Sequence, residues 1–258
     1  MAMTKFFRLA TGLLVAMGIC LPAFTTQAET QELSSFTVLA EPTLTLPLSE
    51  ITRVYSVRKR LSILTEFANS KSHAFKIQEG ESGDVLITSM PDTIYELKQR
   101  GLIDVFTQST VATNRLMLVS KPGEDTGSKI AIIKSLEKRP VLLASPDNYI
   151  EGVYGRLTFN YLFSRQLPPT DPHVYTNSQA LYDAIRHGEG VGIVLETEAL
   201  RTEGLECTIP LADNSYPPIV YQAVVIAGES MPQARDFLTF LKSEEAQEIF
   251  ANYGFRQP

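Results

Sequence analysis

An α/β fold with largely parallel sheets is what this sequence of 258 residues predicts. Short apolar, β-branched runs such as Val85-Leu86-Ile87-Thr88 and Val191–Leu195 have the composition of strands buried on both faces. These runs alternate with segments whose apolar residues recur at helical spacing, the order that builds parallel sheets covered by helices. Gly and Pro mark the junctions, as at Pro91 before one helix and Gly101 after it. The length allows one large domain or two smaller α/β lobes, and either can bury a substantial core.

Residues 36–40 read as the first strand and 41–46 as a turn. Leu48, Ile51, Val54 and Tyr55 follow at helical spacing, with the helix starting near Pro47, because proline is comfortable where no amide hydrogen is needed. Ser62–Phe67 is the second strand, and residues 69–72 form a polar turn able to cap a helix that ends at Gly80. A strand at 84–88 precedes the Pro91 helix, with Ile94 and Leu97 on one face and Gly101 at a left-handed C-cap. The next strand is 116–119, ending at Lys121-Pro122-Gly123.

The same alternation then repeats. Ile130, Ile133 and Leu136 fit a helix, and Val141–Ala144 a buried strand. A loop over 145–151 leads into a helix from about Gly152, with Val153, Leu157, Tyr161 and Leu162 on one face. A Pro-rich loop at 166–172 and a short strand at Val174-Tyr175 precede a helix over 178–187, ended by Gly188. Strands follow at Val191–Leu195 and 221–227, and helices at 233–242 and 244–253, with Ser243 as N-cap of the last.

Lys5 and Arg8 precede an apolar run over 9–24, and Thr26-Gln27-Ala28 ends in a small residue. Residues 1–28 are therefore expected to be a cleavable secretory signal peptide, which gives a periplasmic location; cleavage as a lipoprotein at Cys20 is the weaker alternative. Removing that segment takes away two of the 23 basic residues and none of the 29 acidic ones, so the net charge falls from −6 to −8. Net acidity argues against nucleic acid and anionic membranes as partners. Cys207 is the only cysteine left after cleavage, so no intramolecular disulfide is available.

No GxSxG elbow, P-loop or GxGxxG follows a strand. His73, His173 and His187 are scattered, with no metal-ligand spacing, so no metal site and no catalytic set are expected. In parallel sheets ligands sit beyond the carboxyl ends of the strands. The candidate site loops are therefore 41–46, 67–72, 145–152, 176–178 and 196–197, several of which run into helix N-termini, where free amides suit an anion.

Gly83–Ile87, the segment Gly101-Leu102-Ile103-Asp104, the run from Asn114 to Val119 and the C-terminal stretch 234–255 resemble the molybdate-binding periplasmic proteins of ABC transporters. Pro146, Gly152, Tyr154 and Gly192-Ile193-Val194 also fall where that family has similar residues. The resemblance implies a type II solute-binding protein with two lobes, the first spanning 29–112, the second 113–220, and 221–258 returning to the first. It implies a monomer that delivers a small ligand, with molybdate or tungstate as the default, to an inner-membrane permease, without a cofactor.

The family's oxyanion site is built from two serine hydroxyls, main-chain amides and a tyrosine hydroxyl. By this resemblance, the serines fall on Thr43 and Ser70, the amides on Glu151 and Asn177, and the tyrosine on Leu195. Thr43 keeps a hydroxyl and Ser70 is intact. Glu151 brings a carboxylate toward a bound anion, and Leu195 has no donor, so the ligand site diverges from the family pattern. The alternatives are a binding-protein-like sensor or interaction protein for another small ligand, or an enzyme using Glu151 with Ser70 or Thr43.

Overall fold

The structure, a computed structural model, describes residues 35–81, 83–123, 136, 139–162, 171–228 and 231–258. The signal peptide expected at 1–28, the helix expected around Ile130 and Ile133, and most of the Pro-rich loop at 166–172 lie outside the described residues.

In chain order the first strands are Ser35–Ala40 (β1), Ser62–Phe67 (β2), Val85–Thr88 (β3) and Ile103–Asn114 (β4). Leu116–Ser120 (β5), Val141–Ala144 (β6), His173–Tyr175 (β7), Val191–Leu195 (β8), Glu206–Pro210 (β9) and Ile219–Ile226 (β10) follow. The helices are Thr45–Lys59 (α1), Ser70–Gln78 (α2), Pro91–Gln99 (α3), Ile150–Leu162 (α4), Ser178–Arg186 (α5), Glu196–Arg201 (α6), Met231–Leu241 (α7) and Glu244–Asn252 (α8).

Two mixed sheets result, with strand orders β2-β1-β3-β10-β4 and β7-β6-β8-β5-β9. In each, three strands run parallel (β2, β1 and β3; β7, β6 and β8), and the remaining two attach through antiparallel pairings. The antiparallel additions belong to the crossings between the lobes. The chain leaves the first sheet at Asn114 and enters the second at Leu116, then returns between Pro210 and Ile219.

Both faces of each sheet are covered, which explains why the central strands are apolar throughout. In the first lobe Val38, Ile87 and Val225 pack with Leu48, Ile51 and Tyr55 of α1 and with Phe237 and Phe250 of the C-terminal helices. On the other face Leu39, Leu86 and Val224 meet Ala74 and Ile77 of α2 and Ile94 and Leu97 of α3. In the second lobe Leu143 and Ile193 pack toward Tyr154 and Phe159 of α4. Leu142 and Val194 pack toward Leu181 and Ile185 of α5. Burial of each such aliphatic side chain contributes about 1.5–3 kcal/mol.

The first crossing is tied down by polar contacts. The Asn114 side chain donates to Thr197 Oγ1 at 2.9 Å and accepts from the Arg115 amide at 2.9 Å. The Leu116 amide donates to the Tyr216 hydroxyl at 2.9 Å. Arg115 and Arg256 both reach the Glu196 carboxylate, at 2.5 and 3.2 Å.

Several features depart from expectation. The short helix α6 stands where the sequence reads as a loop at 196–197, and β9 has no counterpart in the sequence reading. Two further departures have a clear physical reason. After α3 the sequence predicts a strand only at 116–119, whereas twelve residues of β4 come first. This strand lies at a sheet edge, so it carries no continuous apolar run: its Phe106 is 96% exposed and Thr107, Gln108, Ser109 and Thr110 dominate its middle. Second, α1 starts at Thr45 rather than near Pro47, because a 3-10 turn over Pro42–Leu44 runs straight into it. Pro47 still lies in the first turn, where an amide hydrogen has no helical acceptor.

Candidate functional site

A cavity of about 140 Å³ lies where loops of the two lobes meet. Every side of it comes from beyond the carboxyl end of a parallel strand. The first lobe contributes Glu41, Pro42 and Thr43 after β1 and Asn69 after β2; the second contributes residues 148–151 after β6, Ser178 and Tyr182 after β7, and Glu198 after β8.

Glu41 follows directly on β1 and is 8% exposed. Its carboxylate collects four donors from the ends of neighbouring elements. Oε1 accepts from Ser70 Oγ at 2.6 Å, Thr88 Oγ1 at 2.8 Å and the Ser89 amide at 2.7 Å. Oε2 accepts from Ser89 Oγ at 2.7 Å. Ser70 opens α2, whose N-cap Asn69 accepts from the Ser72 amide at 2.9 Å, while Thr88 closes β3. Behind them His73, wholly buried, places Nε2 against the Ala40 carbonyl at 2.9 Å and the Ala68 amide at 3.1 Å, and burial lowers its pKa. Four donors offset the water that a carboxylate loses on burial.

Glu151 faces the same cavity from the second lobe. It stands in the first turn of α4 and is 4% exposed, and its own backbone amide hydrogen-bonds its carboxylate. Burial raises its pKa to about 8, helped by the negative charges of Glu198 and Glu41 and opposed by that amide. Gly152 explains how α4 comes so close: a Cβ there would stand 2.5 Å from the Ala144 carbonyl oxygen and 2.6 Å from the Ser145 carbonyl carbon. The third carboxylate, Glu198, is paired with Arg201 on the same short helix.

The five residues singled out by resemblance are distributed unequally. Thr43 and Glu151 line the cavity. The Thr43 hydroxyl also lies 3.2 Å from the Tyr221 hydroxyl, whose ring is fully buried beneath the first crossing. Ser70 is 2% exposed and sits one layer behind, its hydroxyl committed to Glu41. Asn177 caps α5, its side chain accepting from the Ala180 amide at 2.8 Å, and it is the next residue, Ser178, that reaches the cavity. Leu195 is wholly buried in the second lobe's core at the end of β8.

Sequence reasoning placed Glu41 in a candidate loop without giving it a role, and passed over Thr88, Ser89, Tyr182 and Glu198. A signal for Glu41 was present: a carboxylate placed immediately after an apolar strand, on the ligand side of the sheet. Tyr182 carried none, because it falls on the apolar face of an amphipathic helix and reads as core.

The family model described as bacterial extracellular solute-binding protein matches residues 36–256. The molybdate-binding protein ModA of Escherichia coli is 24% identical over 229 residues, covering 85% of this chain and 88% of that protein. A substrate-binding domain assigned to a molybdenum ABC transporter of Clostridium difficile superposes with a TM-score of 0.73 at 18% identity, covering 87% of this chain and 99% of the other. The periplasmic molybdate-binding protein of Azotobacter vinelandii superposes with a TM-score of 0.67 at 17% identity, covering 86% and 99%. Both superpositions show the fold, two α/β lobes of the type II periplasmic binding proteins.

Proposed function

This chain belongs to the bacterial extracellular solute-binding protein family, and from that membership we propose that it is the solute-binding component of an ABC importer, holding its solute between the two lobes. The observation that carries this reading is the cavity itself, to which each lobe contributes strand-end loops. A solute touching both sides gains contacts in the closed arrangement that it lacks in the open one. That difference is what lets a ligand drive hinge closure. The partner is then an inner-membrane permease that reads the closed form. The protein works as a monomer, carried across the membrane by residues 1–28.

The names of the relatives favour molybdate or tungstate as the occupant. In that case the Thr43 hydroxyl and the first amides of α5 beside Ser178 are the donors left to hold it. Ser70 and Asn177 then act by holding Glu41 and the start of α5 in place.

A thermal-shift panel on the secreted chain tests the reading: molybdate, tungstate, sulfate and phosphate, then amines, amino acids and sugars. A solute present at about 100 times its Kd stabilises the fold by about 2.7 kcal/mol, a shift that is easily seen. One chemical class is expected to raise the melting temperature and the others to leave it alone. A flat response across every class contradicts the solute-binding reading.

A further inference from the structure

We propose that Glu151 is a proton-carrying donor of the solute site: its side chain is a neutral carboxyl at neutral pH and donates a hydrogen bond to a dianionic oxyanion bound in the cavity. The inference rests on the oxyanion reading of the proposed function and adds to it one residue and one proton.

The start of α4 has its backbone donors already engaged. The Gly152 and Val153 amides both donate to the Tyr149 carbonyl, at 3.1 and 3.2 Å. The Glu151 amide donates to its own carboxyl. The start of α5 differs: Asn177 takes the amides of Ala180 and Leu181, and those of Ser178 and Gln179 lie ahead of them. What α4 offers a solute is therefore the Glu151 carboxyl itself, 4% exposed in the cavity wall.

The three carboxyl groups bordering the cavity are accommodated in three ways. Glu41 has four donors from its own lobe. Glu198 is paired with Arg201. The charges that act on Glu151 are those of Glu198 and Glu41, both of its own sign. At about 140 Å³ the cavity brings an oxyanion within a few ångströms of Glu151, where an ionised carboxylate would repel a dianion strongly. A proton reverses the sign of that contact. A neutral carboxyl is an O–H donor, and a buried setting is where a carboxylic acid keeps that form at neutral pH. Burial outweighs the amide that would stabilise the anion and raises the pKa of Glu151 to about 8.

The other ionisable groups around Glu151 are Glu198 and Arg201 on α6, Tyr182 on α5, Tyr149 in its own loop, and Glu41 and Tyr221 across the cavity. Burial raises the pKa values of Tyr182 and Tyr221, so both stay neutral. The sign of the coupling follows. Below about pH 8 the empty site already holds its proton, and affinity is level. Above it the site takes up a proton on binding, so affinity falls as pH rises.

The test is titration calorimetry of the secreted chain with molybdate and tungstate at pH 7, 8 and 9, in buffers of different ionisation heat. Both oxyanions stay dianions over that range, so a pH response belongs to the protein. The wild type is expected to lose about tenfold in affinity between pH 7 and pH 9 and to take up close to one proton per oxyanion at pH 9. Glu151→Gln keeps N–H donors and has no proton to lose. Its affinity should be level across the range and exceed that of the wild type at pH 9. Glu151→Leu has neither donor nor charge and should bind at least tenfold more weakly than the wild type at pH 7, with circular dichroism showing both variants folded. Level wild-type affinity from pH 7 to pH 9 without proton uptake overturns the proposal and leaves the oxyanion reading standing. So does a Glu151→Gln variant that binds no better than the wild type at pH 9, or a Glu151→Leu variant as tight as the wild type at pH 7. No binding of either oxyanion at any pH overturns the oxyanion reading itself.

Discussion

Glu41 and Glu151 are both buried glutamates, both border one cavity, and both follow the end of a parallel strand, yet their surroundings are opposite. Glu41 has four donors drawn from three residues of the first lobe. Glu151 has its own amide and two other carboxylates nearby. The first is a structural hub whose hydrogen bonds knit β1, α2 and the end of β3 together. The second stands at the start of a second-lobe helix, where burial and the neighbouring carboxylates raise its pKa to about 8. The pocket thus has a densely hydrogen-bonded carboxylate on one lobe and one with a raised pKa on the other. This is the division expected where closure of the two lobes completes the site.

The largest effect should come from breaking the satisfied side. Glu41→Leu leaves Ser70, Thr88 and both donors of Ser89 without their shared acceptor in a buried setting, and is expected to cost about 3–5 kcal/mol in urea unfolding. A cost below about 1 kcal/mol would mean that water or another acceptor replaces the carboxylate, and the contrast between the two walls would disappear.

The second-lobe side should respond to pH in the reverse sense. The pKa of Glu151 is raised on folding, from 4.5 to about 8. Its contribution is therefore fully present below pH 4.5 and is lost as pH rises through about 8, because in that window the folded chain holds a proton that the unfolded chain has released. Stability from this group falls by up to about 1.4 kcal/mol per pH unit across the window. Glu151→Gln should remove that slope, so the variant gains on the wild type between pH 5 and 8 in melting temperature. A constant difference between the two over that range would contradict the burial argument.

The smallest effect concerns the frame alone. Asn177→Ala removes the side-chain cap of α5 and should cost about 1 kcal/mol by urea unfolding. It should leave the pH slope in place, because the groups that set it are elsewhere.

Much of this geometry was legible before any coordinates. Alternating strand and helix patterns fix the α/β class, and the rule that ligands lie beyond strand carboxyl ends selects the five loops that reach or flank the cavity. The capping residues Asn69 and Ser243 could be read from residue type and position; both accept from a first-turn amide. What stayed hidden was the partnership between residues far apart in sequence. Ser70 reads as a free hydroxyl at a helix start until Glu41, 29 residues away, is seen to accept from it. Thr88 reads as the last residue of a buried strand, and no local pattern shows that its hydroxyl turns toward Glu41, 47 residues away. β4 was missed for a related reason, since an edge strand need not be apolar when one side of it meets solvent. Local periodicity reports burial; it does not report which polar groups burial brings together.

The most direct test of the central claim, that the cavity formed by strand-end loops of both lobes holds the solute, is the melting temperature of the secreted chain measured across the solute panel. The account predicts that one chemical class raises it and the others leave it unchanged. A flat response across every class would contradict it.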